Sequence, residues 1–263
     1  MFRIFTLMKN TFTILTVVFF LSFPFTDAMS QEQEQPAEKQ YKNVIRYDLS
    51  GALLMGVDRY IVFGYERIVK KNQSFSINVG PVALPKSPDE RIAINDYTLR
   101  NDPKSNGFNF SVDYRFYLGK ENRYAPPRGI YLGPYMSYNQ FHRESVWSYS
   151  STGVPDKTVS TDMDMKIFSM GAELGYQFVL WKRMAIDFLL IGPGVGNYNI
   201  NLAVSGNLTD EEKQKLREAV KETITEKYVG LGYVLANKHF DTEGSIRSWN
   251  LGYRYLIHIG YVF

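Results

Sequence analysis

The sequence predicts an all-β fold: a transmembrane, antiparallel, up-and-down β-barrel of eight strands, with one helix in its last long loop. Three observations carry that prediction. The chain begins with a basic segment, a short apolar run and small residues, the order of an export signal. Large apolar and polar side chains then alternate through segment after segment, the period of a strand with one apolar face. From Trp249 to the terminal Phe263, every second residue is large and apolar.

Arg3 and Lys9 flank a region without acids, and Thr11 to Phe25 is apolar or hydroxylic throughout. That run is shorter than the roughly 20 residues a spanning helix needs. Small residues at Ala28 and Ser30 fit cleavage after either one. Residues 1–30 are therefore expected to be a signal peptide. Residues 31–42, QEQEQPAEKQYK, are polar and aperiodic and are expected to form a periplasmic leader. The barrel is expected to occupy 43–263.

The strands follow from the alternation. In the last segment the apolar set is Trp249, Leu251, Tyr253, Tyr255, Ile257, Ile259, Tyr261 and Phe263, opposite a mixed face that includes Arg254 and His258. Aromatics at both ends with isoleucines between them match a lipid-facing strand with interfacial girdles. Segment 107–118 sets Phe108, Phe110, Val112, Tyr114 and Phe116 against Asn109, Ser111, Asp113 and Arg115. Segment 129–139 sets Ile130, Leu132, Pro134, Met136 and Tyr138 against Tyr131, Gly133 and Tyr135, and 166–178 sets Phe168 to Phe178 against Glu173 and Gln177. The same pattern runs through 73–83, 59–69 and, less regularly, 44–54 and 183–192. Strands of about 9–11 residues suffice to cross a bilayer when tilted, and an even count allows closure without a free edge.

The gaps support one orientation. Those near 70–72, 119–128 and 179–182 are short; of the four alternate gaps 55–58 is short, whereas 84–106, 140–165 and the stretch beyond 193 are long. Short periplasmic turns and long external loops are the usual asymmetry of outer-membrane barrels, so both termini are expected in the periplasm. Residues 209–227 form a helix candidate: Thr209 with Glu212 makes a capping box, and Leu216, Val220 and Ile224 share one stripe. That stripe either packs on its own loop or serves as a lid or partner-binding element. Weak alternation in 198–204 and 228–235 leaves ten strands, with the helix beneath the membrane, as the alternative to eight.

Composition narrows the chemistry. The 263 residues include no cysteine, which excludes a disulfide scaffold, a thiolate metal site, a cysteine nucleophile and lipid anchoring through cysteine. Thirty bases against 27 acids leave no excess that would mark a nucleic-acid-binding surface. The mean hydropathy of -0.25 is too low for a bundle of membrane helices. His142 and Ser145, with Glu144 between them, would be the pair for a lipid-modifying hydrolase or acyltransferase at the outer rim, but no motif fixes their geometry. Asp162 and Asp164 could share a cation, yet two carboxylates fall short of the 6–8 oxygens calcium takes. No catalytic residue, cofactor site or metal site is assigned from the sequence.

The inward face is more informative. Arg46, Asp48, Glu66, Asp113, Arg115, Glu173, Asp187, Arg254 and His258 all point into the expected lumen. In a barrel of about eight strands, side chains fill the interior, so these charges are expected to pair into a polar network. The alternative is a proton or ion path.

Several short motifs carry a family resemblance: Lys42-Asn43, Gly64-Tyr65-Glu66-Arg67, Tyr131-Leu132-Gly133-Pro134-Tyr135, Gly171 to Phe178 (GAELGYQF), Ile191 to Gly196 (IGPGVG) and the Ile259-Gly260-Tyr261-Val262-Phe263 ending. On these the chain resembles the small outer-membrane β-barrels of Bacteroidota, OmpA- or OmpX-like in strand number and including a family of unknown function. The resemblance implies an outer-membrane location and no established activity. It also marks Tyr255, Ile257, Ile259, Tyr261 and Phe263 as an assembly signal for the barrel-assembly machinery.

The function expected from these readings is that of a non-enzymatic barrel with a filled lumen. Its partners would be outer-membrane lipids and lipopolysaccharide, and an extracellular partner could be met by loops 84–106, 140–165 and 201–245. An exported soluble barrel around an apolar ligand is the further alternative, with the two faces reversed. If Ile257 lies at the bilayer midplane, Ile257→Lys is expected to cost about 2–4 kcal/mol; equilibrium unfolding in lipid measures it, and unchanged stability would contradict the face assignment.

Overall fold

A computed structural model of the protein describes residues 41–85, 93–94, 97–99, 104–120, 122, 124–151, 154–227, 235 and 238–263. The predicted signal peptide and all but Tyr41 and Lys42 of the predicted leader lie outside these residues, as does most of 228–235. The strands are β1 (Asn43–Asp48), β2 (Phe63–Lys70), β3 (Gln73–Pro81), β4 (Ala93–Ile94), β5 (Tyr97–Leu99), β6 (Lys104–Tyr117), β7 (Gly129–Ser151), β8 (Val154–Leu180), β9 (Met184–Ile191), β10 (Pro193–Ser205), β11 (Ser245–Tyr253) and β12 (Leu256–Val262). Two helices are described, α1 (Leu49–Met55) and α2 (Asp210–Lys227).

The pairings close a ring. In chain order β1, β2, β3, β6, β7 and β8 pair antiparallel with their neighbours, β8 pairs with β9, β9 with β12, and β12 returns to β1. This is the predicted eight-stranded up-and-down barrel. The ends of its sequence meet at one rim, where Asn43 and Phe263 exchange backbone hydrogen bonds of 3.0 and 2.9 Å.

β9 and β10 form a single wall strand broken by Gly192. β9 pairs with the lower part of β8 (Leu174–Leu180), and β10 pairs with its upper part (Ser160–Gly171). The register shifts at Leu174/Gly175, where Leu190 and Ile191 are both exposed. One extra residue therefore moves the outward positions from even to odd numbers. β11 and β12 likewise make one wall strand, paired with β10 above and β9 below. The described structure thus favours eight wall strands over ten, and α2 lies at the end of the barrel opposite Asn43 and Phe263.

Three expectations need correction. Residues 140–165 are not a loop: β7 and β8 run on as a long paired hairpin through this segment. Residues 193–205 are likewise strand rather than loop. Segment 44–54 stops being strand after Asp48, because Asp48 Oδ1 accepts hydrogen bonds from Gly51 N (2.9 Å) and Ser50 Oγ (2.8 Å) and so caps α1. Helix α1 then packs beside β12, and Ser50 Oγ accepts from Ile257 N at 3.2 Å.

The two faces separate as the alternation requires. Ile45, Phe63, Phe75, Phe108, Phe116, Leu132, Met136, Phe178, Ile259 and Tyr261 are exposed on the outside. On β7, β8 and β10 the pattern then inverts. Beyond Tyr138 the outward residues become Gln140, His142 and Glu144, while Phe141 and Trp147 turn inward and are buried. Beyond Phe168, moving up β8, Met165, Met163 and Val159 are buried while Lys166 and Asp162 are exposed. On β10, Tyr198, Ile200 and Leu202 point in, and Asn197, Asn199 and Asn201 point out. Phe110, Tyr138, Phe168, Asn197 and Trp249 pair in one row across the wall, where the inversion begins.

Above this row the interior is an apolar core. Phe141, Trp147, Val159, Met163, Met165, Tyr198, Ile200 and Leu202 pack with Leu84, with Tyr97 and Leu99 of β5, and with Leu216, Val220 and Ile224 of α2. The helix starts with the predicted capping box, in which Thr209 N donates to Glu212 Oε2 at 2.7 Å and Glu212 N donates to Thr209 Oγ1 at 3.2 Å. Its predicted stripe is buried, closing the mouth of the barrel. Lys157 of β8 pairs with Glu212 at 3.4 Å, and Gln214 donates to Phe240 O at 3.3 Å, fixing the helix on two sides.

Leu216 has no exposed surface. Leu216→Ala is expected to remove about 2–5 kcal/mol from the docking of this cap. Amide exchange should accelerate within 210–227 and remain slow in β1, β2 and β12. Equal acceleration in the lower ring would show that cap and ring open as one unit.

Candidate functional site

Two groups of ionisable side chains stand out, one sealed in the lower interior and one on the outer face of the β7–β8 hairpin. The inner group contains every residue predicted for the lumen network. Eight of the nine are buried outright, and Arg254 keeps only a small exposed fraction of its side chain.

Arg115 sits at the centre of this network. Its Nε donates to Asp113 Oδ2 at 2.8 Å, Nη2 to Asp187 Oδ2 at 2.8 Å, and Nη1 to Gln177 Oε1 at 3.1 Å and Glu66 Oε2 at 3.5 Å. Its guanidinium also lies 4.2 Å from the centre of the Tyr131 ring. Arg46 approaches the same acids from β1: Asp113 Oδ1 at 3.3 Å, Asp187 Oδ2 at 3.3 Å and Glu66 Oε2 at 3.6 Å. It also donates to Ser76 and, at 3.1 Å, to Asn78 Oδ1.

The acids find further donors. Glu66 Oε1 accepts from Ser74 Oγ at 2.6 Å and Tyr117 OH at 2.8 Å. Asp187 Oδ1 accepts from Tyr131 OH at 2.7 Å, while its Oδ2 lies 3.2 Å from His258 Nδ1. Arg254 joins the upper edge, donating to Glu173 Oε2 at 3.2 Å and Ser111 Oγ at 3.1 Å. Asp48 is interior too, but its role is to cap α1.

Glycines make room for these long side chains. Gly64 and Gly175 face inward, and a Cβ at Gly64 would overlap Asn78 and the stem of Arg46. At Gly175 it would overlap the Tyr131 ring. The Gly-Tyr-Glu-Arg and Gly-Ala-Glu-Leu-Gly-Tyr motifs are thus explained by packing: the interior alternates large charged residues with none.

The interior arrangement favours a plug over a pathway. The Arg46 and Arg115 guanidiniums each contact acids from several strands, and the apolar core lies above them, beneath α2. Narrow barrels of this strand number fill with side chains, and here both storeys are occupied.

The outer group lies beyond the aromatic row. His142 is four residues past Tyr138, about 13 Å further along the strand. Its Nδ1 is 3.2 Å from Asp164 Oδ1 and 3.3 Å from Asp162 Oδ1, and its Nε2 is 3.4 Å from Glu144 Oε1. Partial burial opposes charge on this imidazole, but hydrogen bonds to Asp164 and Glu144 prevail and hold its pKa above the ordinary histidine value.

Ser145 does not join it. The Ser145 side chain is buried on the inner face, whereas His142 faces out. Residues three apart on a strand project to opposite sides, so the structure separates the pair that the hydrolase alternative needs. His239, the remaining histidine, is exposed and lies 3.5 Å from Glu218.

The residues of the predicted assembly signal lie on the outer face of β12 and its flanks: Tyr255, Ile259, Tyr261 and Phe263 are exposed and Ile257 is half-buried.

No family model matches the chain, and no curated protein matches it. Among solved structures, the chain is similar to CarO of Acinetobacter baumannii, with 12% identity over 85% of this chain and 97% of that one, at a TM-score of 0.39. The fold assignment rests on the strand pairings of this chain itself.

Arg115→Ala is expected to cost about 3–5 kcal/mol, because it leaves buried carboxylates without their partner. Equilibrium unfolding of the purified barrel checks this. Arg115→Lys should recover only part of the loss, since one ammonium cannot replace the fork that meets Asp113 and Asp187 together.

Proposed function

We propose that the chain is a non-enzymatic integral protein of the bacterial outer membrane, with both termini in the periplasm and the capped end outside the cell. One observation carries this reading. An apolar and aromatic outer face surrounds an interior closed by ion pairs below and by an apolar core above. A soluble barrel for an apolar ligand would need those faces reversed. Water would leave the exposed Phe63, Phe75, Leu132 and Ile259 without cover, whereas acyl chains cover them at no cost.

The lower interior then serves as a structural plug, and function moves to the outside. The long β7–β8 hairpin, α2 and the described residues Leu84, Tyr97, Leu99, Leu208 and Phe240 form one packed outer body. This body suits envelope integrity, adhesion or recognition of an extracellular partner. Outer-membrane lipids and lipopolysaccharide would surround the apolar belt. Tyr255, Ile257, Ile259, Tyr261 and Phe263 would be read by the barrel-assembly machinery during insertion. The hydrolase reading loses its support with the separation of His142 and Ser145.

The protein is expected to require detergent for extraction and to migrate differently on gels before and after heating. Release from membranes by washing alone would overturn the reading. In planar bilayers it is expected to show no steady conductance of porin size, because its interior is filled; a large, stable conductance would refute the plug.

A further inference from the structure

The outer face of the β7–β8 hairpin brings together four side chains that the fold does not require there. His142 stands opposite Asp164 and Glu144 opposite Asp162 in the strand register. All four project outward beyond the aromatic row. Like charges placed directly opposite each other weaken a sheet, and Glu144 and Asp162 occupy such a pair. Lys104 of β6 lies across from Glu144, and Lys166 lies two residues below Asp164. These cations offset part of the charge and leave the centre of the cluster to the imidazole and the three carboxylates.

We propose that His142, Glu144, Asp162 and Asp164 form a binding site for one divalent transition-metal ion of the zinc class. The ligating atoms of His142, Glu144 and Asp162 already lie within 4.8 Å of one another. A zinc ion with nitrogen and oxygen ligands at about 2.0–2.2 Å needs donors roughly 3.5 Å apart, which side-chain torsions must supply. Asp164 Oδ1, 3.2 Å from His142 Nδ1, stands beside this group of three and would have to turn toward it to become a fourth donor.

The donor set selects the class of metal. Carboxylates alone favour calcium or magnesium, whereas imidazole favours zinc, copper, nickel or iron. One imidazole among three carboxylates is a borderline set, and the nitrogen donor tips it away from calcium, which takes oxygen ligands, toward the transition metals. The paired strands keep the four Cα positions fixed, so only side-chain torsions need to adjust. Sequence reading counted Asp162 and Asp164 alone. The long hairpin adds His142 and Glu144 from the facing strand.

The test uses the full mature chain without an affinity tag, purified in detergent, stripped with chelator and titrated with Zn2+ by calorimetry. The expected result is one Zn2+ per chain, undisturbed by equimolar Ca2+. His142→Ala and the double variant Glu144→Gln/Asp162→Asn should each weaken binding at least tenfold. His142→Ala leaves every carboxylate in place, so a loose acidic patch would keep its affinity in that variant. Retained affinity there, equal competition by Ca2+, or no saturable uptake by the wild type would each overturn the proposal. Heat-modifiable migration reports whether each variant is folded, and His142→Gln replaces His142→Ala if the latter is not. The experiment reads metal uptake directly, so its failure leaves the membrane reading untouched, and failure of that reading leaves this site intact.

Discussion

Arg115 is fully buried, and four strands of the ring supply groups that hold it. Glu66 reaches it from β2, Asp113 from its own strand, Gln177 from β8 and Asp187 from β9. A guanidinium in so dry a place is tolerable only while those partners are present. The small radius of the barrel, the inward glycines at 64 and 175 and the tyrosines at 117 and 131 are arranged around that demand. The charged storey therefore does more than occupy space. Because Arg115 reaches Asp187 on β9 and Arg46 reaches Asp113 on β6 and Asp187 on β9, the network fixes which strands lie across the lumen from one another, as backbone pairing with immediate neighbours cannot.

Much of this was legible from the period of the sequence. A strand at the bilayer must show one apolar face, and that constraint places Ile45, Phe108, Leu132, Phe178 and Ile259 outside without any structure. The same logic placed all nine lumen residues inside. The capping box at Thr209 and Glu212 and the stripe of Leu216, Val220 and Ile224 were equally readable, because each is a local pattern.

What escaped was the upper body, and the reason is physical. On the membrane reading proposed above, the wall's outer face meets water once it leaves the bilayer, while its inner face meets α2 and the residues packed with it. The apolar side of the strand therefore changes over. Phe141 and Trp147 fall out of phase with Leu132 and Met136, so a search for continued alternation reads a strand end where there is only a change of surroundings. Phase inversion near Tyr138, Phe168 and Tyr198 was the available signal. Asp48 misled in a different way: Leu49 and Leu53 extend the alternation of β1, but a capping carboxylate followed by Ser50 and Gly51 starts a helix. The outer His142 group needed tertiary information outright, since Asp162 and Asp164 meet it only through the pairing of a long hairpin.

One junction of the ring differs in kind from the others. Elsewhere around the wall, neighbouring strands follow one another along the chain. β1 and β12 join its beginning to its end, through the pairs Val44–Val262 to Asp48–His258, beside a side-chain bond from Asn43 to Phe263 across a separation of 220 residues. Helix α1 ends this ladder on the β1 side just above Asp48. The seam thus behaves as a short clasp on a sheet that has already curled. Fastening it restricts little chain entropy once the hairpins have formed, and it turns an open sheet with two adhesive edges into a body with none in its lower half. A handful of backbone bonds next to the carboxyl terminus thereby decides whether the same polypeptide is a solitary cylinder or a strand-hungry ribbon.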